Sequence, residues 1–211
     1  MPISIDLNSA LVVVDVQNDF CAGGVLAVRE AEKIISVINQ YVPHFQGIGA
    51  PIFATRDWHP KNHVSFKERG GPWPPHCLQA SKGADLSPAL KLPYGVTVIS
   101  KGFLTEQDNH SGFQGTDFEA RLKEKNVKKT FVCGLSVDSS LNNTVLDSVK
   151  AGFETYLLTD AVRVEGLNRG DQKKMAEQLI KAGAKSITLK NLAPPIKIRK
   201  QFMAKLRGRT L

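Results

Sequence analysis

Three of the chain's five histidines lie within eighteen residues, next to an aspartate. Asp57 and His59 are two residues apart, His63 follows four residues later, and His76 comes further along the same polar stretch. Carboxylates and imidazoles bind zinc and similar divalent ions, and a close pair completed by a distant third ligand leaves positions open for catalysis. The stretch therefore predicts a catalytic metal site. Polar surface histidines without a metal are the alternative interpretation.

A carboxylate and a lysine each follow an apolar, strand-like segment. Asp15 comes directly after one such segment and Lys101 shortly after another. Because ligands of parallel sheets bind beyond the carboxyl ends of the strands, we expect both side chains in one crevice. There the lysine would keep the carboxylate ionised and stabilise charge on a nucleophile. A turn-capping role for Asp15 and an ordinary salt bridge for Lys101 are the alternatives.

The segment from Cys133 to Leu141 passes from an apolar strand into a helical pattern. A turn of this kind can expose a nucleophile at a helix N-terminus, where backbone N–H groups can stabilise an oxyanion. Ser139 and Ser140 could both occupy that position. Serine and aspartate are also preferred helix-capping residues, so taken alone the segment is explained more simply by capping.

Two prolines precede His76 in the sequence Trp73-Pro74-Pro75-His76. Proline fixes its own backbone angle, so this segment would hold Trp73 and His76 in set directions. A planar ligand could stack on the tryptophan. A packing role is the more frequent one for a single tryptophan in a loop.

Short apolar runs rich in β-branched residues alternate with helical patterns, which predicts an α/β fold with a doubly wound, mostly parallel sheet and helices on both faces. The strand-like runs are Leu11–Val14, Ile52–Ala54, Val96–Ile99, Thr130–Cys133, Thr155–Leu158 and Ser186–Leu189. Helices are predicted over 30–41, from a Thr116–Glu119 capping box to Lys125, over 138–151 and over 170–182. The polar stretch from Trp58 to Tyr94 interrupts the alternation, and a loop of that length is usually functional.

The length of 211 residues suits one domain, and 42% hydrophobic with 23% charged residues excludes a disordered or collagen-like chain. We place the domain at residues 1–190 and a basic tail at 191–211. The tail holds six basic residues and no acid, so most of the net charge of +8 lies there. Such a tail is typical of a solvated or subunit-packing extension. We therefore expect no nucleic-acid partner and leave a homo-oligomer open.

The sequence contains no apolar run long enough to span a membrane and no basic segment before an apolar one at its start. Its three cysteines are an odd number at wide spacings, which fits a reducing compartment better than a disulfide framework. We expect a cytoplasmic protein with no membrane partner.

Several motifs, taken together and in this order, resemble the signatures of nicotinamidases and pyrazinamidases, a family of the isochorismatase-like cysteine hydrolases. They are Asp15–Cys21 followed by Gly23-Gly24, Thr55–Pro60, Trp73–Cys77 and Lys101–Phe103. The resemblance covers roughly residues 9–160. It implies the isochorismatase-like hydrolase fold and hydrolysis of nicotinamide to nicotinate and ammonia, a step of NAD salvage. Pyrazinamide or another small aromatic amide is the alternative substrate.

The resemblance also implies a role for each motif residue. Asp15 would be the general base and Lys101 its charged partner, while Phe20 and Trp73 would enclose the pyridine ring. One divalent ion, zinc first, with iron or manganese as alternatives, would be held by Asp57, His59 and His76. His63 would be a fourth ligand or lie behind the ligands.

The resemblance further implies an oxyanion hole formed by the backbone N–H groups of Ser136 and Ser140, with a cis peptide between Leu135 and Ser136. Position 140, however, departs from the family pattern, which has the nucleophilic cysteine there. A hydroxyl is a weak nucleophile unless a base removes its proton, so we expect strongly reduced amidase activity. Cys133 lies seven residues upstream in the strand and cannot easily substitute.

Two interpretations of Ser140 follow. The serine is an introduced replacement in an otherwise intact nicotinamidase, or the chain is a naturally diverged member. A diverged member would either use Ser140 or bind a nicotinamide-like ligand without turnover.

Overall fold

A six-stranded, all-parallel sheet forms the centre of the molecule in the computed structural model, which describes residues 2–193. Its strands are β1 (Ser9–Val14), β2 (Ile52–Asp57), β3 (Thr97–Lys101), β4 (Lys129–Ser136), β5 (Glu154–Val164) and β6 (Lys185–Ile187). The order across the sheet is β3-β2-β1-β4-β5-β6, and every neighbouring pair is parallel. The order reverses between β1 and β4, which makes the carboxyl ends of these two strands the expected ligand crevice.

Four helices cover the two faces of the sheet: α1 (Ala31–Gln46), α2 (Phe118–Glu124), α3 (Ser140–Lys150) and α4 (Arg169–Lys181). Helix α1 packs on one face together with parts of the long loop between β2 and β3, whereas α2, α3 and α4 pack on the other. All six residues of β1 are buried, since alternate side chains enter the two opposite cores. The prediction of a doubly wound α/β fold is confirmed.

The start of α2 and the end of α1 are among the helix bounds that differ from the sequence prediction. Helix α2 begins at Phe118, and the Thr116–Glu119 capping box is not formed. The Thr116 hydroxyl instead accepts from the Phe118 N–H and donates to the Gly112 carbonyl, which makes it part of the preceding turn. Helix α1 continues to Gln46, because Pro43 is accommodated inside it rather than ending it.

Short bridges hold the long polar stretch between β2 and β3 in place. Gln17 pairs with Leu86 and so ties the stretch to the segment after β1, whereas His59 pairs with Leu78 within the stretch itself. Phe66 pairs with Trp73 across a narrower part of the same loop. The loop is therefore fixed next to the carboxyl ends of the strands, where it can contribute side chains to a site.

The described chain ends in contact with its beginning. Leu192 is buried and bridges to Ile3, so packing continues past residue 190, while residues 194–211 of the predicted tail lie outside the described residues. Cys21, Cys77 and Cys133 are buried and unpaired. Between residues 2 and 193 no helix has the length and apolar character needed to cross a bilayer.

Candidate active site

The carboxyl ends of the central strands bring the predicted acid, base and metal groups together. Asp57 and Lys101 are the last residues of β2 and β3, and the parallel register places them directly opposite one another. Asp15 follows β1, and its backbone N–H donates to the Thr55 carbonyl on β2. The crevice expected from the sheet topology is therefore lined by groups that can exchange protons and bind a cation.

Lys101 lies at the centre of this group with 1% of its surface exposed. Its ammonium nitrogen is 3.0 Å from Oδ2 of Asp15, donates to Oδ1 of Asp57, and donates to the Ser140 hydroxyl oxygen over 3.2 Å. Burial opposes the charge, but the two carboxylates outweigh it and raise the pKa of Lys101. The side chain is therefore a fixed cation beside the serine.

Asp15 is fully buried and adopts a left-handed backbone conformation with φ of 51°. Its Oδ1 accepts from the Thr55 hydroxyl at 2.6 Å, while no donor among the described residues is aligned with Oδ2 at a hydrogen-bonding angle. Burial raises the pKa of this carboxyl to about 6, partly offset by Lys101. A carboxylate with such a pKa, whose Oδ2 faces Lys101 without an aligned hydrogen bond, is suited to accept a proton near neutral pH.

Asp57, His59 and His76 form a buried cluster in which one candidate ligand atom from each lies within 4.8 Å of the others. Nδ1 of His59 donates to the Gly102 carbonyl and Nδ1 of His76 to the Pro74 carbonyl, both at 2.9 Å. These bonds leave Nε2 of each ring free to bind a metal. Burial, followed by the neighbouring His63, lowers the pKa of His59 to about 3, which keeps the ring neutral as a ligand must be. The three residues fit a divalent cation.

His63 lies behind this cluster. Its contacts fit the predicted place behind the ligands better than that of a fourth ligand. Its ring stacks on His59 with centroids 4.1 Å apart. Nδ1 is bonded to the Ser65 hydroxyl at 2.7 Å and Nε2 to the Gln107 carbonyl at 3.0 Å. Because both nitrogens are engaged, these contacts favour the predicted place behind the ligands, and the role of His63 stays a prediction.

Two residues that hold the candidate metal ligands in place were not identified from the sequence as functional. The Gln17 amide donates to the Asp57 carbonyl and accepts from the Asp57 N–H, each at 2.8 Å, which fixes the end of β2. Asp19 accepts from the Cys77 N–H at 2.7 Å and so anchors the backbone after His76. Both belong to the Asp15–Cys21 motif, but only the three-dimensional contacts reveal what they bind.

Ser140 is the first residue of α3 and is 2% exposed. Its hydroxyl donates to Oδ1 of Asp138 at 2.7 Å and its backbone N–H donates to the same oxygen, also at 2.7 Å. Ser139, in contrast, accepts from the Asn143 amide one turn further along the helix. Of the two candidate serines, therefore, Ser140 is the one beside Lys101.

The predicted oxyanion hole is not formed in this arrangement. Every peptide bond between residues 2 and 193 is trans, so the cis peptide expected between Leu135 and Ser136 is wrong for this structure. The Ser140 N–H is engaged by Asp138 rather than facing a substrate. The Ser136 hydroxyl, which is not part of the predicted hole, donates to the Asp138 backbone carbonyl 3.1 Å away.

The two aromatic residues predicted to enclose the substrate ring differ in their surroundings. Phe20 is buried and its ring lies 5.8 Å from that of His76, which places it against the metal cluster. Trp73 is half-buried, with its backbone bonded to Ser65 and Lys67. Both therefore belong to segments next to the cluster, while their contact with a substrate stays a prediction.

Comparisons with known proteins identify the family of this chain. Residues 9–191 match the isochorismatase domain family. The nicotinamidase of Acinetobacter baylyi is 35% identical over 207 residues, which cover 88% of this chain and 94% of that protein. The chain belongs to the nicotinamidase family of isochorismatase-like hydrolases and is a nicotinamidase-like amidohydrolase.

Solved structures of the family share the fold. The pyrazinamidase of Pyrococcus horikoshii, crystallised in complex with zinc, is 43% identical with a TM-score of 0.79, over 86% of this chain and 99% of that one. PnC1 from L. infantum, in complex with nicotinate, is 30% identical with a TM-score of 0.81, over 92% of this chain and 99% of that one. The chain thus has the same fold as a pyrazinamidase crystallised with zinc and a relative crystallised with nicotinate.

Proposed function

We propose that this chain hydrolyses nicotinamide to nicotinate and ammonia, at a rate limited by the serine at position 140. The observation that carries the proposal is the ion-pair cluster in which Lys101 contacts Asp15, Asp57 and Ser140 at once. This cluster joins a base, a cation and a nucleophile to a metal-binding carboxylate. The nicotinate complex of the L. infantum relative supports a pyridine carboxylic derivative as ligand.

Each protein group has a defined task in this reaction. The Ser140 oxygen attacks the amide carbon while Asp15 takes the hydroxyl proton, and Lys101 offsets the negative charge that remains. Asp15 then returns the proton to the nitrogen, which leaves as ammonia. Asp15 then takes a proton from water, which attacks the resulting ester, and returns that proton to the departing Ser140 oxygen, so that nicotinate is released and Ser140 is restored.

Two arrangements must change during attack. The Ser140 hydroxyl must transfer its hydrogen bond from Asp138 to Asp15, and the Ser140 N–H must turn from Asp138 toward the developing oxyanion, where Ser136 provides the second N–H. Hydrogen-bond donors aimed at the developing negative charge contribute a large part of the rate acceleration in amide hydrolysis. The need for both changes is a physical reason for slow turnover.

Asp57, His59 and His76 would hold one divalent ion, with zinc as the first choice, because two neutral imidazoles and a carboxylate suit that metal and leave positions open. An ion bound there would act as a Lewis acid for a ring nitrogen. Phe20 and Trp73 would enclose the ring. The zinc complex of the P. horikoshii relative supports this choice.

Ser140 also favours a second candidate, a protein that binds nicotinamide-like ligands without turnover. Its hydroxyl donates to Asp138, whose pKa is held well below its usual range by His110 and Lys101 despite burial. Such a carboxylate is too weak a base to activate an alcohol.

We further propose NAD salvage as the pathway and the cytoplasm as the location, in keeping with the free cysteines.

A single set of measurements tests the proposal. Purified, zinc-loaded protein is assayed for ammonia and nicotinate with nicotinamide, pyrazinamide and benzamide, the last lacking the ring nitrogen, and the Ser140→Ala variant serves as the control. We expect the protein to hydrolyse nicotinamide slowly and benzamide not at all. The Ser140→Ala variant should have no nicotinamidase activity. Calorimetric binding of nicotinamide without hydrolysis would favour the second candidate, and the absence of binding would rule out both.

A further inference from the structure

A chain of hydrogen bonds leads from the Ser140 hydroxyl to a histidine outside the predicted site. Ser140 donates through its hydroxyl and its N–H to Oδ1 of Asp138. The other oxygen of that carboxylate, Oδ2, lies 2.7 Å from Nδ1 of His110. Since a carboxylate only accepts, Nδ1 of His110 is the donor. Asp138 is therefore held from both sides, by the serine and by the histidine.

The segment that carries His110 is fixed to the helix that begins with Ser140. The Gly112 N–H donates to the Thr144 hydroxyl on α3 at 3.0 Å, and the His110 N–H donates to the Gln114 side chain at 3.1 Å. The first of these bonds ties the loop that carries His110 to α3, and the second lies within the loop. The bond between His110 and Asp138 therefore joins two segments that are also held together at Gly112 and Thr144.

The charges around His110 agree with a persistent bond. The hydrogen bond to Asp138 raises the pKa of His110, burial opposes this, and Asp108, 3.5 Å from Nε2, adds to the increase while Lys101 works against it. The side chain is 36% exposed, so it exchanges protons with solvent. Asp138 remains ionised and accepts from His110 in both protonation states of the ring.

We propose that His110 is a positioning residue for the nucleophile and acts on Ser140 through Asp138. By fixing Asp138, His110 fixes the side-chain rotamer of Ser140 and keeps its oxygen 3.2 Å from the Lys101 ammonium. The catalytic consequence rests on the proposed function, whereas the linkage itself is a property of the protein without substrate. The two can therefore be tested separately.

The linkage is measured by NMR titration of the His110 imidazole in the substrate-free protein. Ser140→Ala removes the hydroxyl donor from Asp138, which leaves more of the carboxylate charge to His110, so the titration midpoint should move to higher pH. Ser139→Ala is the matched control, because the neighbouring hydroxyl contacts Asn143 instead, and it should leave the midpoint unchanged. The proposal is overturned if the His110 titration midpoint is unchanged in Ser140→Ala, or if it moves by the same amount in both variants.

The catalytic consequence is measured with two isosteric replacements. His110→Asn retains a donor at the position of Nδ1, whereas His110→Leu fills the same space without one. Without the His110 donor, more of the Asp138 charge falls on Ser140, so its hydroxyl and N–H are released less readily for attack. We therefore expect kcat for nicotinamide to fall about three- to tenfold in His110→Leu with little change in KM, and to be largely preserved in His110→Asn. Equal losses in the two variants would reduce His110 to a packing role and overturn the proposal.

The two hypotheses fail in different ways. Protein that does not hydrolyse nicotinamide, but whose His110 titration still responds to Ser140→Ala, contradicts the proposed function and supports the linkage. If the protein hydrolyses nicotinamide but the His110 titration midpoint does not change in Ser140→Ala, the linkage is contradicted.

Discussion

The carbonyl oxygen of Gly102 accepts a hydrogen bond from Nδ1 of His59 over 2.9 Å, directly after β3. Gly102 has φ of 60°, which only glycine adopts without strain, and a Cβ added there would lie 2.5 Å from Cε1 of the His59 ring. The absence of a side chain at residue 102 therefore allows the ring to bond the backbone and turn Nε2 toward Asp57 and His76.

Replacing this glycine should damage the metal site. In Gly102→Ala the new methyl group overlaps the His59 ring, which must move and carry Nε2 away from the cluster. We expect the variant to bind zinc at least about tenfold more weakly, the scale for the loss of an orienting contact behind a ligand. Metal content after dialysis against a weak chelator measures the effect.

The matched control is Gly95→Ala. Gly95 also has a positive φ, of 82°, but an added Cβ there would meet no atom within 4 Å. It should lose about 1 kcal/mol of stability through backbone strain alone and keep its metal. Equal metal loss in both variants would mean that the damage is not specific to His59.

The ligands themselves provide a second prediction. His59→Ala should leave the purified chain without stoichiometric metal, because a cluster with only three protein ligands has little redundancy. His44→Ala, at a half-buried histidine in the last turn of α1, should retain about one metal ion per chain. Elemental analysis compares the two, and full metal in His59→Ala would remove the assignment.

Much of the fold was predictable because its signals are local. The apolar, β-branched runs from Leu11 and from Thr130 mark β1 and β4, since strands covered on both faces need uninterrupted apolar residues. The capping box at Thr116 failed because the hydroxyl had a competing partner, the Gly112 carbonyl, that spacing alone does not reveal. The extra length of α1 was missed because Pro43 is usually a helix end.

The site was predictable to the extent that its groups follow strand ends. Asp15 and Lys101 could be paired from the topology of a parallel sheet. The bond between His110 and Asp138 could not, because it joins a loop residue to a helix start twenty-eight positions away. The engagement of the Ser140 N–H by Asp138 likewise depends on a side-chain rotamer that no sequence pattern specifies.

The pKa of Asp15 predicts how activity depends on pH. Burial raises this pKa to about 6, and a general base must be ionised, so kcat/KM should fall as the pH decreases through about 6 and level off above it. The profile is measured with nicotinamide from about pH 4.5 to about pH 8, with metal content checked at each point. A flat profile at constant metal content would exclude Asp15 as the base.

Trp73 is predicted to be part of the ligand-binding surface. Trp73→Ala should weaken nicotinate binding by about 1–3 kcal/mol, the scale of a lost aromatic surface with its buried area, and Trp73→Phe should recover part of the loss. Calorimetry on the zinc-loaded protein measures both variants. Unchanged affinity in Trp73→Ala would assign this side chain to packing within the loop.

Position 140 provides the most direct test of the chemistry, because it places an oxygen between Lys101 and Asp138 where the resemblance to nicotinamidases implies a sulfur. Ser140→Cys supplies a nucleophile that is partly thiolate near neutral pH and donates only weakly to Asp138. Nicotinamide hydrolysis should rise at least about tenfold, a barrier change of about 1.4 kcal/mol. Asp15→Asn in that background should abolish it, since the proton of the thiol would have no acceptor and departing ammonia no donor. If Ser140→Cys binds zinc and nicotinamide but remains inactive, the site differs from that of an amidase beyond its nucleophile, and the binding-protein hypothesis replaces the enzyme.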